Sequence, residues 1–100
     1  MPLYKVDWSQ SAGEDVRELF DYLAENASLQ DAQNVTERIM RSTDRLAEFP
    51  RLYEADPRFG EGVRRIAVAG RFVLYEVDDQ AQIVRVLTVA GQRQKPQKYN

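Results

Sequence analysis

The sequence predicts an α+β domain with the element order β-α-α-β-β-β, its two helices forming a hairpin against one face of a small antiparallel sheet. Three observations carry that reading. A short alternating segment opens the chain. Two amphipathic stretches follow, each behind a serine-based capping signal. The last third then reads as three consecutive apolar strands, GVRRIAVAGRFVLYEVDDQAQIVRVLTVAG. Runs of helix and then runs of strand, without strict alternation, point to α+β rather than to a doubly wound sheet.

Residues 3–8, LYKVDW, alternate so that Tyr4, Val6 and Trp8 share one face, as in a strand. Ser11-Ala12-Gly13-Glu14 fits a capping box, and Ser9 offers an alternative cap two residues earlier. Val16, Leu19, Phe20 and Leu23 then recur at helical spacing, with Asp15, Glu18, Asp21 and Glu25 expected to face water. Asn26 reads as a left-handed end. A second cap, Ser28-Leu29-Gln30-Asp31, begins a stripe through Ala32, Val35, Ile39, Ser42/Thr43, Leu46 and Phe49, which Pro50 stops. So short a link favours an antiparallel helical hairpin.

Residues 51–62 hold Pro57, Gly60 and Gly62 and show no period, so they read as a loop close to the basic residues of the sheet. Ala69-Gly70 and Asp78-Asp79-Gln80 separate the three strands of a meander. The opening strand cannot form a sheet alone and is expected to join the meander's edge. One hundred residues read as a single domain, 1–100, with a basic tail over 92–100.

Charge is divided along the chain. Residues 63–100 hold seven Lys/Arg against three Asp/Glu, whereas residues 1–62 hold seven against thirteen. An overall charge of −2 therefore joins an acidic helical half to a basic sheet-and-tail half. Arg64, Arg65, Arg71, Arg85, Arg93, Lys95 and Lys98 are the candidates for an anion-binding cradle. Arg64 and Arg65 alternate between faces, so only one of them shares a face with Arg85. Tyr75 reads as a core tyrosine with a hydrogen-bonded hydroxyl, and Trp8 as core. Tyr99, in a polar tail, is a candidate for stacking on a base or a partner side chain. Glu54, Asp56 and Glu61 precede the sheet, and one that faced the arginines would be positioned to act as a base.

The sequence also excludes chemistry. It has no cysteine, hence no disulfide, thiolate nucleophile or thiolate metal site, and no histidine. It has no Gly-rich phosphate loop and no calcium-loop or zinc spacing, so neither metal nor cofactor is expected. No apolar run reaches the length of a membrane span, and the first residues lack a signal-peptide core, which suggests a cytoplasmic protein without a membrane partner.

Four segments together resemble the RelE/ParE superfamily of toxins from bacterial type II toxin–antitoxin systems. They are the strand ending Trp8-Ser9 with the helix ending LFDYLAEN; the close Leu46-Ala47-Glu48-Phe49-Pro50; the hairpin Val63-Arg64-Arg65-Ile66-Ala67-Val68-Ala69-Gly70-Arg71-Phe72-Val73-Leu74-Tyr75; and Ile83-Val84-Arg85-Val86-Leu87 leading to Gly91-Gln92-Arg93. The resemblance implies a cognate antitoxin, a hetero-oligomer with it, and one of two targets. ParE-like members inhibit DNA gyrase by binding. RelE-like members cleave mRNA on the ribosome. Tyr22-Leu23-Ala24-Glu25-Asn26 followed by Asp31-Ala32, the mildly negative charge and Ala90 in place of a histidine favour the ParE branch. No catalytic residue is then expected, and Arg64, Arg65, Arg71, Arg85, Arg93, Lys95, Lys98 and Tyr99 would bind target or antitoxin. On the RelE alternative, Arg65, Arg93 and Tyr99 would stabilise the phosphate and stack on the base, although Phe72 stands where such nucleases carry a key arginine. A second alternative is a non-toxic module that only binds antitoxins.

Overall fold

The structure, a computed structural model, describes residues 3–92 and Lys98. Strand β1 (Lys5–Trp8) leads into helix α1 (Gln10–Asn26) and helix α2 (Leu29–Arg41). A one-turn 3₁₀ segment (Asp44–Ala47) and another (Pro57–Phe59) precede strands β2 (Arg64–Val68), β3 (Arg71–Asp78) and β4 (Ile83–Gly91).

Ser9, not Ser11, caps α1: its Oγ accepts from the Ala12 N–H at 3.0 Å and donates to the Leu87 carbonyl at 2.9 Å. The same hydroxyl therefore starts the helix and ties it to the sheet, which the Ser11 box could not do. Ser28 caps α2 through the Asp31 N–H. The second stripe does not stay α-helical to Phe49. It ends at Arg41, where the Ser42 and Thr43 hydroxyls bond back to the Ile39 and Met40 carbonyls, and the chain tightens into the 3₁₀ turn. Ile39, Thr43 and Leu46 are buried as that stripe requires, but Phe49 is 48% exposed, with the Arg45 guanidinium over its ring.

The sheet order is β1-β4-β3-β2. The meander is antiparallel, but β1 joins its edge parallel to β4, so the sheet is mixed rather than antiparallel throughout. The helical hairpin lies between β1 and β2 in the chain, and this long connection permits the parallel return. Ala69 and Gly70 both have positive φ, 51° and 74°, which matches the twist of a two-residue hairpin turn. Leu74 pairs with Thr88 and Tyr75 with Val86, leaving Leu87 as the extra residue of a bulge in β4.

The main core lies between helices and sheet, around Leu19, Ile39, Leu46, Val73, Tyr75 and Val86. A second cluster, Phe59, Val63 and Leu74 with Phe72 and Leu87, sits on the other face. There the 3₁₀ turn of the 51–62 loop lays Phe59 edge-on against Phe72, with centroids 5.9 Å apart. The same loop runs along β2: Asp56 N–H bonds Val63, Arg65 N–H bonds Glu54, and Ala55 bridges Arg64. At the opposite edge the Asp79 carboxylate accepts from Tyr4 Oη at 2.7 Å and from two Arg51 nitrogens at 3.0 and 2.7 Å, pinning the start of β1. Asp15 corrects the expectation of a wholly solvated acidic face. It turns toward the sheet, accepting from the Thr88 hydroxyl and, at 2.9 Å, from the Val89 N–H.

Tyr75 is fully buried, as a core tyrosine should be, but its hydroxyl has no hydrogen-bond partner among the described residues. Burial raises its pKa, and the nearby Tyr53 backbone tempers this without making a hydrogen bond of ordinary geometry. Tyr75→Phe should therefore stabilise the fold by about 1 kcal/mol, since an unsatisfied buried hydroxyl is removed. A phenol that stays protonated in the folded state loses stability as pH rises past its unfolded value of about 10. Urea titrations across that range should show the parent weakening at alkaline pH more steeply than the variant.

Candidate partner-binding surface

The strand register assigns the basic candidates to faces. Arg64 and Arg71 fall on the helix side with Tyr75 and Val73, while Arg65 and Arg85 fall on the open side. Arg65 is thus the member of the pair that shares a face with Arg85. The four described arginines do not gather into one cradle. Arg65 forms ion pairs with Asp56 and, at 3.1 Å, with Glu54, and its guanidinium lies 5.3 Å from the Phe72 centroid. Arg85 pairs with Asp78 at 3.2 Å, and Arg64 donates to the Tyr53 carbonyl at 2.6 Å. Arg71 makes no ion pair with a described residue, and its carbonyl accepts from Gln92 at the end of β4. Lys98 is exposed; Arg93, Lys95 and Tyr99 lie outside the described residues.

Asp56 is the centre of the open-face network. Nearly buried, it accepts from the Arg58 N–H at 3.1 Å, from Arg58 Nε and Nη2, and from Arg65 Nη1. These donors, Arg58 above all, hold its carboxyl far below the usual carboxylate range, against the opposing effect of burial. A carboxylate so strongly held as the anion is a poor proton acceptor near neutral pH. Its role is to fix Arg65 and cap the 57–59 turn.

On the helix side the structure opens a groove of about 810 Å³ beyond the β1 edge, floored by Val6, Trp8, Phe20, Met40 and Ala47. Its rim carries the Glu37–Arg41 pair, 2.5 Å apart on successive turns of α2. A smaller apolar extension of about 390 Å³ runs under Gly13, Val16 and Arg17 toward the same Trp8 and Met40. Met40 is 53% exposed although it lies beside this apolar floor. The sequence pattern read Trp8 as core and put Phe20 on the apolar stripe of α1; Trp8 does pack against the main core while its remaining surface, with Phe20, lines the groove. The groove depends on how far α2 stands from β1, and side-chain period alone does not carry that distance.

The family model for the ParE toxin of the parDE type II toxin–antitoxin system matches residues 6–96. This chain belongs to the ParE toxins. Among solved structures it is similar to the chromosomal ParDE toxin–antitoxin system from P. aeruginosa, with a TM-score of 0.77 and 14% identity over 89% of this chain and 96% of that one. It is also similar to a mutant of the E. coli toxin RelE in the free state (TM-score 0.66, 19% identity, 91% of this chain and 85% of that one). A third is the RelBE2 complex from Mycobacterium tuberculosis (TM-score 0.62, 20% identity, 92% and 100%). Identities this low establish the shared fold. Curated proteins gave no match. This ParE-family chain has no helix among its described residues long and apolar enough to cross a membrane.

Proposed function

We propose that this ParE-family toxin arrests growth by binding DNA gyrase rather than by cleaving RNA. One observation carries the reading: the open-face arginines are occupied by carboxylates of the same chain, Arg65 by Asp56 and Glu54 and Arg85 by Asp78. A nuclease needs such guanidinium groups turned to a phosphate. Histidine is also missing from the sequence. Arg71, beside the point where the chain continues into Arg93, Lys95 and Lys98, is the basic position we assign to the gyrase contact. Tyr99 belongs to the same end of the chain.

As the toxin of a two-component system, the chain has an antitoxin as its counterpart. The apolar groove over Val6, Trp8, Phe20 and Met40 suits the apolar face of an antitoxin helix, giving a cytoplasmic hetero-oligomer. An acidic segment of the antitoxin would then meet the basic end of the chain.

Purified toxin should abolish gyrase supercoiling at stoichiometric ratios, and Arg71→Glu should weaken that inhibition about tenfold, as loss of a steering charge does. Unimpaired supercoiling at excess toxin would refute the gyrase reading. Codon-biased cuts in translated mRNA would establish the RelE-like alternative, and normal growth on induction a non-toxic module.

A further inference from the structure

Gly13 lies inside α1 with no conformational reason to be glycine. Its N–H makes an ordinary helical bond to the Ser9 carbonyl at 3.0 Å, and its φ is not in the left-handed region. A Cβ placed there would meet no atom within 4 Å. Glycine is a poor helix former, so alanine at this position would stabilise α1. What glycine does here is leave a wall flat. With Val16 and Phe20 on the same side of α1, and Trp8 and Met40 opposite, it lines the apolar slot of about 390 Å³ that extends the groove. Thr36 and Arg17 bring polar groups to that slot. The Thr36 hydroxyl is committed to the Ala32 carbonyl at 2.7 Å. Arg17 stands one helical turn after Gly13, with Glu14 and Asp21 within reach along the helix. It nevertheless enters no ion pair with a described residue. An apolar slot thus carries a cation at its mouth whose counter-ion the described residues do not supply.

We propose that this slot is the specificity pocket of the antitoxin groove: it takes one large apolar side chain of the antitoxin helix, and Arg17 pairs with a carboxylate one helical turn from that side chain. The inference rests on the antitoxin occupying the groove and goes beyond it, because it fixes which two side chains the partner must carry. Gly13 and Arg17 are about 6 Å apart along the axis of α1. A helix lying beside α1 therefore presents its apolar residue at i and its acidic residue four positions away. The flat wall at Gly13 lets the apolar side chain enter past the helix backbone, and the apolar lining favours its burial. The guanidinium then selects among helices that share the apolar pattern. It attracts an aspartate or glutamate at the next turn and repels a lysine there, so one position both favours the correct partner and rejects others.

The test is calorimetric titration of the full-length toxin with the antitoxin of the same two-component system, both made by cell-free synthesis, with urea midpoints recorded for every toxin variant. Met40→Glu probes the groove itself and should weaken binding at least about tenfold; unchanged affinity there would overturn the groove reading and this inference with it. Gly13→Ala should raise the urea midpoint yet weaken antitoxin binding about threefold, a split that a purely structural glycine would not produce. Gly13→Leu, which fills the slot, should weaken binding about a hundredfold. Arg17→Glu should weaken it at least about tenfold, and Arg17→Gln by less. Changing one acidic residue of the antitoxin helix to lysine should restore binding to Arg17→Glu while impairing binding to the parent toxin. With Met40→Glu impaired, parent-like affinity in Gly13→Leu or in Arg17→Glu would overturn the specificity pocket and leave the groove standing. So would the failure of every single acid-to-lysine antitoxin to recover Arg17→Glu. If Arg17→Glu does not fold, Arg17→Gln decides: lower affinity with a flatter salt dependence supports the ion pair, and parent-like binding at all salt concentrations overturns it.

Discussion

Asp56→Ala should destabilise the protein by about 2 to 3 kcal/mol, because it leaves two guanidinium groups without their shared carboxylate and removes the cap of the 57–59 turn. Arg58 remains half-exposed and can be rehydrated, which keeps the effect at the lower end for a broken charge network. Against a typical total of roughly 5 to 15 kcal/mol, the loss is large. The damage should be local first. The 53–62 segment should release from β2, uncovering Phe72 and Leu74 and raising hydrogen exchange at Arg65 and Val63, whose backbone groups bond to that segment. The same carboxylate gives an acid signature. Its pKa is lower folded than unfolded, so its contribution is complete above the ordinary carboxylate value of about 4 and is lost as pH falls below it. Thermal unfolding between pH 6 and pH 2 should show the parent losing stability on acidification more steeply than Asp56→Asn. Parallel curves would contradict this assignment.

Asp15→Ala should cost about 2 kcal/mol, from a carboxylate that accepts two hydrogen bonds from β4 at the helix–sheet boundary. Thr88 is 7% exposed, so its hydroxyl would be left without that acceptor where water reaches poorly. Asp15→Asn should recover most of the loss, because a single oxygen, Oδ2, accepts both bonds and the amide oxygen can take its place, though without the charge. Glu18→Ala, at an exposed position on the same helix, should be nearly neutral. Urea midpoints at constant slope would check all three variants. Equal midpoints for Asp15→Ala and Glu18→Ala would contradict the contact.

Asp15 also marks where reading the sequence stopped. Period and capping signals locate both helices, the hairpin turn at Ala69-Gly70 and the meander, because they depend on residues close in the chain. A helical wheel assigns Asp15 to water, since it contains no information about the β4 bulge at Leu87 that brings Thr88 and the Val89 N–H to it. The parallel pairing of β1 with β4 is equally non-local: alternation marks a strand but not its neighbour or its direction. Local charge counting found the basic half of the chain. The 51–62 loop lies near those basic residues as expected, but charge counting did not show that Glu54 and Asp56 neutralise Arg65 there. A cluster of like charges in sequence became separate ion pairs in space. The groove was legible only as components, Val6, Trp8 and Phe20 on their apolar faces, and neither Met40 nor the opening between them was read from the sequence.

The toxin's mode of action comes down to what changes first in a cell that makes it. Plasmid topology and transcript integrity should be followed together after induction. Action on gyrase predicts loss of negative supercoiling while translated transcripts stay intact. Prompt codon-biased cleavage of those transcripts, with supercoiling preserved, would contradict it.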